Sequence, residues 1–206
     1  MRKIITAPTD IEDNLYAQGL SPVAGVDEVG RGPLAGPVVA CAIILPKIEI
    51  AGINDSKKIS AKRREELAAQ LKEVAVSYAF GIIQPEEIDR INILQATLKA
   101  MAEAVAGLEI APKIALVDGI SAPDCICPVR CVKNGDSASR IIAAASILAK
   151  VMRDNMMQDL HRRYPEYAWD TNKGYGTAAH IEAIRRHGLT PAHRRSFCKS
   201  HETNRL

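Results

Sequence analysis

The chain has no apolar run long enough for a membrane-spanning helix: across its 206 residues the apolar stretches are of strand length or are broken by polar groups. It also lacks an export signature, because the opening MRKIITAPTDIEDN carries two basic side chains with no apolar segment behind them. The expected location is the cytoplasm. Excess charge is scarce as well. A net charge of +3 is too small to argue for nucleic-acid binding by itself. Cysteines number five, an odd count in a chain without a secretion signal, which argues against a disulfide framework. Cys125, Cys127 and Cys131 form C-x-C-x3-C, but no second cluster of ligands has matching spacing. On a strand over residues 125–132 all three face one side, as core residues do, and that reading is preferred to a zinc site. No internal repeat or low-complexity segment is visible.

What is present suits a soluble α/β domain. Apolar residues make up 47% and charged residues 25%, and the length fits one domain with small appendages. Strands are expected at residues 23–29 and 37–45, joined as a hairpin through GRGPLAG, and at 77–83, 113–119 and 125–132. Helices are expected at 61–74 after the N-cap Ser60, at 85–91, at 93–106 ended by Gly107, at 137–164, and at 178–187 ended by Gly188. A strand meander followed by alternating helices and strands implies a mixed sheet. Residues 1–22 form an N-terminal extension and 199–206 a tail, both expected to be peripheral to a domain over 23–198.

Four acids stand at special places in this layout. Asp27 and Glu28 close the first strand, Asp118 closes a later one before Gly119, and Asp136 opens the long helix after Asn134-Gly135. Taken singly, Asp136 fits an N-cap and Asp118-Gly119 a turn. Asp27 resists such a reading, because an acid in an apolar strand costs several kcal/mol unless paired or metal-bound. Carboxylates converging on one sheet edge repel one another, and divalent cations remove the conflict. An all-oxygen set favours Mg²⁺ or Mn²⁺ over Zn²⁺ and suggests two-ion phosphoryl transfer. One difficulty follows from strand geometry. Neighbouring residues point to opposite faces, so either the strand distorts at Asp27-Glu28 or one of the two acids is structural.

Candidate phosphate contacts come from three places. On the long helix Ser139, Ser146, Lys150 and Arg153 fall within a narrow arc, opposite Ile141, Ala145, Leu148 and Met152. Lys57 and Lys58 lie in the loop INDSKK. The basic C-terminal stretch, including Arg194 and Arg195, is either a phosphate-binding surface or a solvated one.

Read together, VAGVDEVGRGPLAGPVV, INDSKK, LVDG, GDS, AAASILAKVMRD, NKGYGT and HRRSF resemble type 2 ribonuclease H, specifically the bacterial ribonuclease HII family, in the family's order from about Val23 to Phe197. The resemblance implies a ribonuclease H-like fold: a five-stranded mixed sheet flanked by helices, with a helical C-terminal substrate-binding part. It implies two Mg²⁺ or Mn²⁺ ions held by Asp27, Glu28, Asp118 and Asp136. The implied activity is cleavage of the RNA strand of RNA–DNA hybrids and of the 5′ side of ribonucleotides embedded in duplex DNA, giving 3′-hydroxyl and 5′-phosphate ends. The family's GRG matches Gly30-Arg31-Gly32, which reads the 2′-hydroxyl, and its tyrosine matches Tyr175, which stacks on the ribose. Gly176 departs from the proline of other members, which puts the tightness of the Tyr175 loop in doubt. His193 in HRRSF is expected to be structural or close to a phosphate. A monomer is expected. Two rivals remain: another carboxylate-metal nuclease of the same fold group, such as a resolvase or integrase, and an inert nucleic-acid-binding module.

Overall fold

The computed structural model describes residues 6–48, 50–54, 56 and 59–200. Its centre is a five-stranded sheet of order β3-β2-β1-β4-β5. The strands are β1 (Val23–Val29), β2 (Val38–Ile44), β3 (Ser77–Ile83), β4 (Ile114–Asp118) and β5 (Val129–Val132). β1 and β2 pair antiparallel, as do β2 and β3, while β1–β4 and β4–β5 are parallel. β2, with sequence VVACAII, is buried along its whole length, as a strand covered on both faces must be.

Alternation along β1 separates two cores. Val23 belongs with Cys41, Ile43 and Leu116 on one face, covered by α5 (Arg140–Arg163) and α2 (Ala61–Val74). Ala24 and Val26 belong with Ala40, Ala115 and Val117 on the other, covered by α3 (Pro85–Ala106). Helix α3 is interrupted at Asn92, whose φ of 67° is left-handed. The Asn92 side-chain oxygen accepts from the amides of Leu94 and Gln95, at 3.0 and 3.1 Å, and so caps the second half. The two helices expected there are thus real as conformations, joined end to end.

A third core holds the C-terminal part: Leu34, Ala35, Met157, Tyr167, Trp169, Ala183, Ile184, Ala192 and Cys198. It gathers α6 (Trp169–Asn172), α7 (Ala178–His187) and α8 (Arg195–Cys198) against the end of α5 and the β1–β2 loop. Among the described residues no helix is long and apolar enough to cross a membrane.

Three expectations need correction. The strand over 125–132 begins only at Val129, so Cys125 and Cys127 lie in the preceding loop and share no strand face with Cys131. The long helix does not start at Ser137. A short helix α4 (Gly135–Ala138) ends at Ser139, whose extended backbone (φ −142°, ψ 125°) breaks the path before α5. The segment before β1 is not peripheral: in α1 (Asp10–Ala17) Leu15 and Glu12 are buried, and Leu15 and Ala7 join the core under α5.

Candidate active site

β1 and β4 deliver the acids to one edge of the sheet. One carboxylate oxygen each from Asp27, Glu28 and Asp118 lie within 4.8 Å of one another. The β1 register against β2 runs without a bulge through Glu28↔Ala40, so the strand is not distorted there. The convergence has another cause. Pairing of β1 with β4 stops at Val26↔Val117, so beyond that point no strand lies between the two faces. Glu28, on the α3 face, meets Asp27, on the α5 face, around this open end. Two cavities reflect the arrangement and share Glu28 and Asp118: one of about 270 Å³ on the α3 side, and one of about 240 Å³ on the α5 side.

The larger-scale electrostatics fit a cation. Asp27 is 5% exposed, and its carboxyl is held well above the usual range by burial, then by the charges of Glu28 and Asp118. The Ser146 hydroxyl and the Glu28 amide, the latter donating over 2.7 Å, oppose that rise. Glu28 is also raised by burial; Arg31, 3.5 Å away, pulls it down and Asp118 pushes it up. Three mutually repelling oxygens, one from buried Asp27 and two from partly buried Glu28 and Asp118, are a donor set suited to a hard divalent ion.

Asp136 lines the α5-side cavity together with Asp27, Glu28 and Asp118, although it is not part of the tight group of three. Its segment is tied to the strand edge, because the Gly135 amide donates to Asp118 Oδ1 over 2.6 Å. Among the described residues, the acids are the one group of three metal-ligating side chains that close together, and the cysteines form none.

Of the helix arc, only half reaches the site. Ser146 and Lys150 line the cavity; Ser146 Oγ lies 2.9 Å from Ser56 Oγ, and Lys150 Nζ donates to Asp154 over 2.6 Å. Ser139 and Arg153 are fully buried and do not face a phosphate. An arc gives an angle about the helix axis, not what packs against it. Arg194 is likewise fully buried, whereas the Arg195 side chain is exposed. Lys57 and Lys58 lie outside the described residues.

The buried arginines have a different task. Arg153 donates from Nε to the Pro37 carbonyl (2.9 Å), from Nη1 to Lys173 (3.0 Å) and from Nη2 to Ala35 (3.1 Å). Arg194 donates to the carbonyls of Gly36, Arg31 and Gly30, the last over 2.6 Å. Burial lowers Arg153 to about 10 and Arg194 to about 9, the latter also through repulsion by Arg153. Both stay charged at neutral pH. Gly30 has φ +93°, and a β-carbon there would collide with the Arg153 guanidinium. The two glycine-rich turns of GRGPLAG are therefore moulded around two guanidinium groups. A β-carbon on Gly32 would stand 3.6 Å from the ring of the half-exposed Tyr175, so the GRG turn packs beside the tyrosine. Tyr175 lines the α5-side cavity and Arg31 the α3-side one.

Tyr175 is anchored through its backbone despite Gly176. Its amide donates to Asn172, and its carbonyl receives Thr177 N–H at 2.8 Å and faces His180 Nδ1 at 2.9 Å. His193 is 2% exposed and packs against His180, Trp169 and Tyr167, which makes it structural.

The comparison with known proteins agrees with this geometry. The family model described as Ribonuclease HII matches residues 24–200. This chain belongs to the ribonuclease HII family. A ribonuclease HII of Desulfitobacterium hafniense (strain DSM 10664 / DCB-2) is 52% identical over 187 residues, covering 90% of this chain and 72% of that relative. The ribonuclease H2 structure from Pyrococcus horikoshii OT3 superposes with a TM-score of 0.73 at 28% identity, over 87% of this chain and 96% of that one. Bst-RNase HIII, solved in complex with Mn²⁺, shares the fold at a TM-score of 0.66 and 22% identity, over 81% of this chain and 62% of that one. The chain is thus a hydrolase of the ribonuclease H type on a mixed five-stranded α/β sheet.

Proposed function

We propose that this ribonuclease cuts the phosphodiester on the 5′ side of a ribonucleotide embedded in duplex DNA, and the RNA strand of RNA–DNA hybrids, leaving 3′-hydroxyl and 5′-phosphate ends. The observation that carries the reading is the meeting of three carboxylate oxygens within 4.8 Å around buried Asp27, with Tyr175 lining the same cavity and the GRG turn against its ring. Asp27, Glu28, Asp118 and Asp136 are the residues that would hold two Mg²⁺ or Mn²⁺ ions. Such ions supply a water of lowered pKa and neutralise charge on the attacked phosphate.

The chain's own contribution is placement. Asp27 sits centrally, with Glu28 and Asp118 toward the leaving 3′ oxygen and Asp136 toward the incoming water. Arg194 engages the carbonyls of Gly30 and Arg31, which leaves the amide side of that turn to meet a 2′-hydroxyl. The Tyr175 ring supports the ribose beside it. Lys150, at the cavity wall, offers positive charge to the phosphate backbone. Arg31 at the α3-side cavity and Ser146 at the α5-side cavity support a substrate-contact role for these two, and Arg195 presents an exposed charge. Ser139, Arg153 and Arg194 act from beneath.

The test is a labelled DNA duplex carrying a single ribonucleotide, incubated with Mg²⁺ or Mn²⁺. Cleavage on the 5′ side of the ribonucleotide, none of an all-DNA duplex and none after chelation is the expected result. Cutting of all-DNA substrate would favour another carboxylate-metal nuclease, and binding without cutting an inert module. Asp136→Asn is expected to abolish cleavage and leave duplex binding largely intact.

A further inference from the structure

We propose that Glu12, on the N-terminal helix, is a positioning residue for Asp136. Glu12 is 2% exposed, and its Oε1 accepts two hydrogen bonds of 2.9 Å, from the Ser139 hydroxyl and from the Ile141 amide. Both donors lie at the break between α4 and α5. Ser139 is the residue whose extended backbone ends α4, and its Oγ also accepts from the Ile142 amide over 3.3 Å. The neighbouring Arg140 amide donates to the Pro8 carbonyl over 2.9 Å. The segment before β1 therefore supplies acceptors for consecutive groups at the start of α5.

The physical consequence reaches the site through α4. That helix has four residues, far too few to hold itself, and Asp136 is one of them. Its front end is pinned by the Gly135 amide on Asp118. Its back end is pinned at Ser139 by Glu12. A carboxylate at the N-terminus of a 24-residue helix is also favoured by the helix dipole. The other oxygen, Oε2, is buried without a hydrogen-bond partner among the described residues, a cost not expected of a cap chosen for stability alone. The inference rests on the reading of Asp136 as a metal-holding residue.

The experiment uses the full chain and the variants Glu12→Ala, Glu12→Asp, Glu12→Gln and Asp136→Asn. Three quantities are measured well below each melting temperature: amide hydrogen exchange over residues 135–142, Mn²⁺ affinity by calorimetry without substrate, and kcat and KM on the ribonucleotide-containing duplex. Glu12→Gln retains an acceptor at Oε1 and is expected to stay within about threefold of wild type in Mn²⁺ affinity. Glu12→Ala, or Glu12→Asp if the alanine variant does not fold, is expected to speed exchange in 135–142, weaken Mn²⁺ binding about tenfold and lower kcat with KM nearly unchanged. A variant that melts earlier yet keeps wild-type exchange, Mn²⁺ affinity and kcat overturns the proposal and leaves Glu12 a stability residue. If Asp136→Asn binds Mn²⁺ as wild type does, the metal reading of Asp136 fails instead. Exchange over 135–142 in the Glu12 variants then decides the positioning claim by itself.

Discussion

The amide of Gly135 donates a 2.6 Å hydrogen bond to Asp118 Oδ1, so the end of β4 and the segment that carries Asp136 are fixed to each other. The contact is tightly packed around this glycine. A β-carbon at Gly135 would stand 2.6 Å from Ile142 Cδ1 and 3.2 Å from the Asp118 oxygen. Gly135→Ala is therefore expected to push α4 away from the strand edge, costing about 1–3 kcal/mol in stability. Activity is expected to fall about tenfold or more at unchanged duplex affinity, as for loss of a group that orients a metal ligand. Chemical denaturation and steady-state kinetics on the same preparation check both numbers. Unchanged kcat would show that Asp118 and Asp136 are placed independently.

Asp27 sets function against stability. Without a cation its buried charge is opposed by burial, Glu28 and Asp118. A raised folded-state pKa means stability is fully present below the unfolded carboxylate pKa and is lost as pH rises through the raised value. Asp27→Asn removes that loss. In chelator at neutral pH the variant is expected to melt above wild type, while its activity falls about 100-fold or more. Added Mn²⁺ should raise the melting temperature of wild type more than that of Asp27→Asn. Thermal scans with and without Mn²⁺ test this, and equal Mn²⁺-induced shifts would remove Asp27 from the metal site.

The parts of this site that rest on strand ends were legible in the sequence, because an acid after an apolar run and before a glycine marks a sheet edge. β1, α2, β3 and α7 fall on their expected residues for similar local reasons: alternation, a serine cap or a glycine stop. What was hidden depends on partners far along the chain. The Ser139–Glu12 bond spans 127 positions, and no periodicity reveals it. Arg153 and Arg194 looked like phosphate ligands, since a basic residue on a helix arc or in a tail ordinarily meets solvent. Their acceptors are backbone carbonyls of residues 30–37 and Lys173, brought to them only by the fold, and no sequence pattern marks those carbonyls as inward. Glu28's turn toward Asp27 was hidden because it depends on where β4 stops pairing, a property of the sheet and not of VDEVG.

Arg194 should be intolerant of lysine. Its guanidinium serves three carbonyls, of Gly30, Arg31 and Gly36, from Nε and both terminal nitrogens. A lysine ammonium cannot reach that fork geometry. Arg194→Lys is expected to cost about 3 kcal/mol or more and to raise KM for a ribonucleotide-containing duplex, because the GRG turn loses its support. Urea unfolding and KM measurements check this. Full stability with an unchanged KM would show that the GRG turn does not depend on the guanidinium fork.

His193 gives the fold a pH limit. The Thr190 amide donates to His193 Nδ1 over 3.0 Å, so the neutral ring carries its proton on Nε2, which faces His180 Nε2 at 3.2 Å. His180 Nε2 also receives the Trp169 indole N–H at 3.0 Å, so its own proton lies on Nδ1, toward the Tyr175 carbonyl. His180 Nε2 is thus a shared acceptor for the Trp169 and His193 N–H groups, a role open only to a neutral His180 ring. Protonating His193 would set a ring N–H against the Thr190 N–H. Burial, followed by His180, lowers His193 to about 4. The unfolded residue titrates near 6.5, so between these values the unfolded chain takes up a proton that the folded chain refuses. Stability is therefore full above about pH 6.5 and falls as pH drops toward 4, by up to about 3 kcal/mol. His193→Asn, whose amide oxygen can still accept from Thr190, is expected to be less stable at pH 8 but to lose less on acidification. Melting temperatures from pH 8 to 4.5 for the two proteins test the sign. Equal acid slopes would show that His193 titrates normally. Because the network ends on the Tyr175 carbonyl, the acid-weakened wild type should also show faster amide exchange over residues 172–177 before it unfolds globally.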